Sequence, residues 1–192
     1  IFCKDTAVLN IEAEDSGTGI DTVKYYVSAT EVADSSTITA WEDYNSSVAL
    51  NQKSKNYIYV QVKDKAGNVA VYEEGVVVYT ESAAITTEAV EYIYKEGNDK
   101  EISVDFNGNT VKSIVLQEQD PLTETPLVEG TDYTVDIANS KIVIKASYLD
   151  TFNADDTAYS FQVKYSPVGV DTDTVDMATA FSVKVVKATL DA

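Results

Sequence analysis

Four oxygen-bearing side chains bracket two short turns in the first third of the chain: Asp15 and Asp21 enclose Ser-Gly-Thr-Gly-Ile, and Asp64 and Asn68 enclose Lys-Ala-Gly. Oxygen ligands converging from two turns at one end of a sandwich suit calcium, a hard cation. The plainer reading is that these Asp and Asn side chains cap their own turns, as they do beside Gly. Asp171, Asp173 and Asp176 form a third acidic set that could also hold calcium, but it lacks the Gly and terminal Glu of an EF-hand loop, and the favoured reading is a solvated acidic loop. Trp41 and Tyr44 have the ring chemistry of a sugar-stacking platform, against which stands the tendency of a lone Trp in a sandwich to be core. Tyr57 and Tyr59 alternate with Ile58 and Val60, so both are predicted to face outward as sugar or protein contacts, or as cross-strand packing. Cys3 reads as an inert, strand-buried thiol.

What is missing narrows the chemistry further. The chain has no His and one Cys, which removes Ser-His and Cys-His catalysis, His- or Cys-built zinc sites and any internal disulfide. Carboxylate pairs able to flank a glycosidic bond abound, but a composition this acidic yields them by chance, and 166–177 is the one insertion long enough to shape a cleft. We therefore expect no enzyme, no catalytic residue and no cofactor. The net charge is -18, and all 14 basic residues are Lys. That charge repels phosphate backbones and anionic lipid, so neither nucleic acid nor a membrane surface is an expected partner. No apolar run reaches membrane length and no signal peptide is present, so no membrane insertion is expected.

The elements that must position these residues are strands. Tyr, Val, Ile and Thr are frequent, and no stretch shows strong helical amphipathicity. Residues 7–14 alternate, with Leu9, Ile11 and Ala13 predicted inward, and 20–28 follow with Val23, Tyr25 and Val27 on one face. A polar stretch, 29–37, leads to 38–44 and a short strand near 48–50. Residues 57–63 turn Ile58, Val60 and Val62 inward, and 69–79 return with a kink predicted at Gly75. Short strands at this spacing indicate a β-sandwich.

Residues 80–88 read as a short, stiff, extended linker. Charge does not mark the boundary: 1–85 carry 6 Lys and 13 acids, and 86–192 carry 8 Lys and 19 acids. Beyond it, 89–95 is a predicted strand, and 101–106 with 110–116 a predicted hairpin about Asn107-Gly108. Residues 120–126 read as a Pro-bearing loop. A second hairpin joins 131–137 to 141–145 across Ala138-Asn139-Ser140, with Ile142 and Ile144 on its dry face and Lys141, Val143 and Lys145 on its wet one. Ser147-Tyr148-Leu149 and Phe152 read as a corner whose Tyr148 hydroxyl ties to backbone. Residues 158–165 and 180–187 close the sheet around a long loop, 166–177.

Two resemblances follow. Phe2-Cys-Lys-Asp-Thr6, Ala13-Glu-Asp-Ser-Gly-Thr-Gly-Ile20, Lys24-Tyr-Tyr-Val-Ser28, Trp41-Glu-Asp-Tyr44 and the run from Tyr57 to Asn68 resemble bacterial Ig-like repeats of Gram-positive surface proteins. Such repeats open with one more strand before Phe-x-Lys-Asp, so the first strand is expected to be missing here, and Cys3 stands where an apolar residue is usual. The Leu-x-x-Gly-x-Asp-Tyr run at Leu127–Tyr133 and the Ser147-Tyr148-Leu149 corner resemble the X-two Ig-like modules of cellulosome scaffold proteins, departing at 166–177. This second resemblance implies association with carbohydrate-degrading or cell-surface assemblies.

The resulting expectation is an all-β chain of two tandem immunoglobulin-like β-sandwich domains, 1–85 and 86–192. It reads as an excerpt of a longer secreted or cell-surface bacterial protein, extracellular or cell-wall attached. Its expected role is a non-catalytic spacer or adhesive module presenting neighbouring domains, with polysaccharide or a cell-surface protein as partner. The alternative is a carbohydrate-binding module contacting polysaccharide through exposed Tyr or Trp.

Overall fold

The computed structural model describes residues 1–119, 122–169 and 177–188. The chain divides into two compact units: Ile1–Glu81 with 167–169, and Ser82–Ser166 with 177–188. In the first, the apolar alternation of the sequence produces β1 (Phe2–Lys4), β2 (Val8–Leu9), β3 (Ile20–Ser28), β4 (Glu42–Asp43), β5 (Val48–Ala49), β6 (Ser54–Asp64) and β7 (Val69–Thr80). One sheet runs β1-β7-β6-β3-β4 and the other pairs β2 with β5. The register sets Val23 opposite Val62 and Val27 opposite Ile58, so the inward positions of two strands coincide. They pack on a core of Ala7, Leu50, Ile58, Val60 and Tyr79. The predicted kink is a bulge: Gly75 pairs with Ile58 while Glu73 pairs with Tyr59, which leaves Glu74 extra, and Gly75 takes φ +96.

The strand predicted over 7–14 is corrected to Val8–Leu9. Ile11 and Ala13 keep their half-buried places, but the Ile11 N–H donates to the Tyr44 hydroxyl (3.0 Å) and leaves the ladder. The segment 38–44 likewise shrinks to Glu42–Asp43, following a 3-10 turn at Ser35–Thr37 capped by Asp34.

The second unit contains β8 (Ala84–Ile85), β9 (Ala89–Ile93), β10 (Lys100–Asp105), β11 (Asn109–Gln119), β12 (Leu122–Pro126), β13 (Tyr133–Asp136), β14 (Lys141–Ile144), a single helical turn α1 (Ala146–Leu149), β15 (Ala158–Pro167) and β16 (Met177–Val186). Its sheets run β13-β14-β10-β8 and β12-β11-β15-β16-β9. In both units the five-stranded sheet has a short edge strand lying parallel to the unit's last strand: β1 on β7 in the first, β9 on β16 in the second. Both are immunoglobulin-like β-sandwiches. The second core is the larger, with Ile102, Ile114, Ile142, Ile144, Leu149, Phe161, Val163 and Val183 fully enclosed.

Several expectations change here. The Asn107-Gly108 turn forms, with φ +52 and +87, but its flanks are not a hairpin: β10 and β11 belong to opposite sheets. Phe106 and Val111 on either side of the turn are both buried in the core, which pulls the two strands apart into different layers. Residues 80–88, expected as a stiff extended linker, contain the short strand β8. The Tyr79 hydroxyl donates to Glu81 (2.6 Å), Ala83 is buried in the second core, and β8 pairs with β10. The predicted loop at 120–126 is in part a strand, since β12 pairs with β11 as an edge, where Pro126 is tolerated. The hydroxyl that reaches the corner is that of Tyr92 rather than Tyr148; Tyr148 instead meets Phe152 edge-on at 5.2 Å.

Asp99 anchors that corner. Its carboxylate accepts the Ala146 N–H that opens α1 (2.8 Å) and pairs with Lys145 (3.0 Å). The bond from the Ala146 backbone is the main reason its carboxyl sits below the usual range, so this contribution is present at neutral pH and fades as pH falls through that lowered value. Asp99→Ala is expected to lower stability by about 1 kcal/mol, the worth of a helix cap, and Asp99→Asn by less, as read from urea midpoints.

Candidate functional site

In the first unit the two turns singled out for calcium do meet: the Lys65 N–H donates to the Gly19 carbonyl (3.0 Å). Their carboxylates are already engaged. Asp15 accepts the N–H groups of Gly17 (3.1 Å) and Gly19 (2.5 Å). Asp64 accepts the backbone N–H (2.8 Å) and side-chain amide (2.7 Å) of Asn68, and the amide bond above all holds its carboxyl below the usual range. Asp21 pairs with Lys63 (3.0 Å). Among the described residues no group of three acidic, His or Cys side chains is gathered for a metal. Asp171, Asp173 and Asp176 lie outside the described residues.

The aromatic candidates of this unit are built into packing. The predicted outward Tyr57–Tyr59 pair is corrected: Tyr59 is only 2% exposed, and its hydroxyl accepts the Val32 N–H (2.7 Å) from the segment folded over that sheet face. Tyr57 is half-buried. Trp41 is half-buried too, donates its indole N–H to the Ile38 carbonyl (2.9 Å) and meets Tyr26 at 64°. Tyr44 meets Tyr25 at 87°. No two of these rings form a shared open plane. Cys3 is half-buried on β1.

The second unit holds a site that the sequence reading missed. A groove of about 430 Å³ opens over neighbouring strands β11 and β15, beneath the loop that follows α1. Phe152 and Tyr159 are among its lining residues; both are half-buried and pack on each other, with ring centroids 4.3 Å apart and planes inclined at 48°. Gln117 and Glu118 come from β11, Ser160 from β15 and Asn153 from the loop. Phe152 is braced from below by Tyr148 (5.2 Å) and Phe161 (6.2 Å). The Tyr159 hydroxyl leans toward the Asn153 carbonyl (3.5 Å). The available signal was two aromatic residues on either side of Asn153-Ala-Asp-Asp-Thr-Ala158, but only the fold joins them to Gln117. Among the described residues its lining holds one carboxylate, Glu118, beside amide, hydroxyl and ring groups.

A family model described as carbohydrate binding domain X2 matches residues 85–175, the stretch containing this groove. This part of the chain is similar to X2 carbohydrate-binding, Ig-like modules. The hairpin and corner that suggested the family lie inside the match. X2 and Ig-like modules are non-catalytic module types. Among solved structures, the chain is similar to a tri-modular GH5 (subfamily 4) endo-beta-1,4-glucanase from Bacillus licheniformis complexed with cellotetraose: 11% identity over 97% of this chain and 37% of that one, TM-score 0.49. It is also similar to the N-terminal four Ig domains of Dscam1 isoform 9.44 (12% identity, 98% and 42%, TM-score 0.49). The fibronectin(III)-like modules of Clostridium thermocellum CbhA give 10% identity over 100% and 92%, TM-score 0.31. These superpositions are loose, and the fold assignment rests on the strands and cores described above. The chain spans well under half the length of the glucanase and of the Dscam1 fragment. No curated protein matches it.

Proposed function

We propose that the chain is a non-catalytic module pair of a secreted or wall-attached protein. In this reading 1–85 is a spacer that presents neighbouring domains, and 86–192, the X2 half, contacts polysaccharide. One observation carries it: the stretch matched by the carbohydrate-binding family model holds a groove lined by Gln117, Asn153, Ser160, Phe152 and Tyr159, whereas Trp41, Tyr44 and Tyr59 are engaged in ring or hydrogen-bond contacts within the first unit. The contact reading thereby moves from Trp41, Tyr44, Tyr57 and Tyr59 to the second half. No helix among the described residues is long and apolar enough to cross a membrane.

Electrophoresis of the whole chain through gels containing neutral plant or wall polysaccharides tests this reading. Retardation in at least one such gel, without release of reducing ends, is the expected result. Unretarded migration in all of them would remove the polysaccharide-contact role and leave the spacer role alone.

A further inference from the structure

We propose that the open edge of β7, from Val69 to Glu73, receives an added strand from a partner protein: an extended segment that alternates apolar side chains with lysine or arginine. This surface lies in the first unit and does not depend on the polysaccharide reading. β6 pairs with β7 along its length, but on the other side β1 covers only Val78–Thr80. At the turn between β6 and β7 the Asp64 N–H donates to the Asn68 carbonyl (3.0 Å). Bonded and non-bonded pairs alternate from there along an antiparallel ladder, so the N–H and C=O groups of Val69, Val71 and Glu73 point away from β6. Farther along the same edge, the Val76 and Thr80 carbonyls accept the N–H groups of Ile1 (2.9 Å) and Asp5 (2.8 Å), and the Val78 N–H donates to the Ile1 carbonyl (2.8 Å). Among the described residues no strand meets Val69, Val71 or Glu73 in that way. The pairing on β6 is regular from Val69 to Glu73, which leaves an edge close to the usual strand length of about 5–6 residues.

The side chains along the edge describe the occupant. Tyr72 stands opposite Val60 on the core side of the sheet, while Val71 and Glu73 stand opposite Gln61 and Tyr59 on the other face. Val69, Val71 and Tyr72 are 55%, 36% and 53% exposed, as strand residues without a neighbour are. An added strand would lie about 4.7–4.9 Å away, so its apolar side chains would cover Tyr72 and its outward ones would stand beside Glu73. On that outward face a hollow of about 300 Å³ is lined by Glu31, Tyr57 and Glu73, with no Lys in its lining among the described residues. The ion pairs of Lys24, Lys53 and Lys63 are made elsewhere, with Asp43, Glu81 and Asp21. Two carboxylates beside a phenol ring suit an ammonium or guanidinium group, through charge and through cation–π attraction. Gly75 keeps the hollow clear, since nothing stands within 4 Å of where its Cβ would be. A second copy of the chain is the poorer occupant, because 1–85 carry 6 Lys against 13 acids and like charge repels.

The test uses the whole chain and two fluorescent peptides, Lys-Val-Lys-Thr-Lys-Val-Lys-Thr and Lys-Pro-Lys-Pro-Lys-Pro-Lys-Pro, read by anisotropy at an ionic strength of about 0.15 M, where distant surface charges are screened. The peptides carry the same charge, but proline has no N–H to give a ladder. The first peptide is expected to bind, and the second to bind about tenfold or more weakly. Val71→Pro removes a donor from the open edge and none from the pairing with β6, and should weaken the first peptide by about tenfold or more. Glu73→Lys should do the same through charge. Glu91→Lys, the same charge change at an exposed place in the second unit, should leave binding near the wild-type value. Trp41 fluorescence in urea reports whether the first unit of each variant is folded, and the peptide comparison decides the matter without any variant.

Equal binding of the two peptides, or binding unchanged in folded Val71→Pro, would reduce the interaction to charge alone and overturn strand addition. Binding lost in Val71→Pro but kept in Glu73→Lys would overturn the basic character of the partner. Sedimentation showing a dimer that Val71→Pro abolishes would give the edge to a second copy and overturn the partner assignment. A wild type that binds neither peptide would overturn the proposal as a whole, and none of these results bears on whether the second unit contacts polysaccharide.

Discussion

Phe161→Ala is expected to destabilise the second unit by about 3–5 kcal/mol, the cost of removing a large aromatic side chain from a packed core. Phe161 is fully enclosed on β15 and sits opposite Phe181 of β16 in the register, with the rings stacked 5.0 Å apart at 12°. Tyr148 and Phe152 lean on it from the corner side. A cavity there is walled by strand backbone held in both directions and collapses poorly, which argues for the upper part of the range. The substitution also asks whether the two halves fold independently, as we propose for 1–85 and 86–192. Trp41 is the sole Trp of the chain and belongs to the first unit, so its fluorescence follows that unit alone during urea unfolding. Circular dichroism follows both units. In Phe161→Ala the dichroism should show an early transition while the Trp41 midpoint stays at its wild-type value. A Trp41 midpoint that falls with the dichroism would mean one cooperative unit and would reject the separation.

The same core shows why some of this architecture was legible and some was not. The β13–β14 hairpin could be read directly, because its alternation, its short turn and its partner are all local. Asp136 accepts the backbone N–H and side-chain amide of Asn139, and Ile142 and Ile144 face inward with no exposure. Asn107-Gly108 carried an equally clear turn signal and led to the wrong pairing. A turn's φ values are fixed locally, but the partner of a strand is chosen by the core, and here β14 and β8 claim β10 while β12 claims β11. Tyr59 failed for a related reason. Alternation says which side of a strand a residue faces, not whether that side is wet, and the covering segment around Val32 has no periodicity to announce it. The groove was invisible because its walls come from 116–118, 151–153 and 157–160, stretches with nothing in common until the sheet order brings them together.

Tyr92→Phe should cost about 1.5–3 kcal/mol, the range for a hydrogen bond to a charged group, although it removes one oxygen atom. Tyr92 on β9 is fully buried, and its hydroxyl donates to Asp150 (2.7 Å) and lies 3.4 Å from the Ala146 carbonyl. The same Asp150 oxygen accepts the Lys95 N–H (2.9 Å), so one phenol ties an edge strand to the corner after β14. Burial first, then the bond to Asp150, pushes the Tyr92 phenol up to about 12 from an ordinary 10.0. The sign of the pH effect follows from that rise. In the unfolded chain the phenol ionises near 10.0, while in the folded chain it holds its proton until about 12, so its contribution is complete below the lower value and is lost as pH climbs toward the higher. Tyr148, also pushed up to about 12 chiefly by burial, adds to the alkaline loss in both proteins. The stability gap between wild type and Tyr92→Phe should therefore be flat through neutral pH and narrow progressively between 10.0 and 12. Urea midpoints measured across that window decide the matter. A gap that keeps its neutral-pH size up to pH 12 would show that the Tyr92 hydroxyl is not what links β9 to the corner.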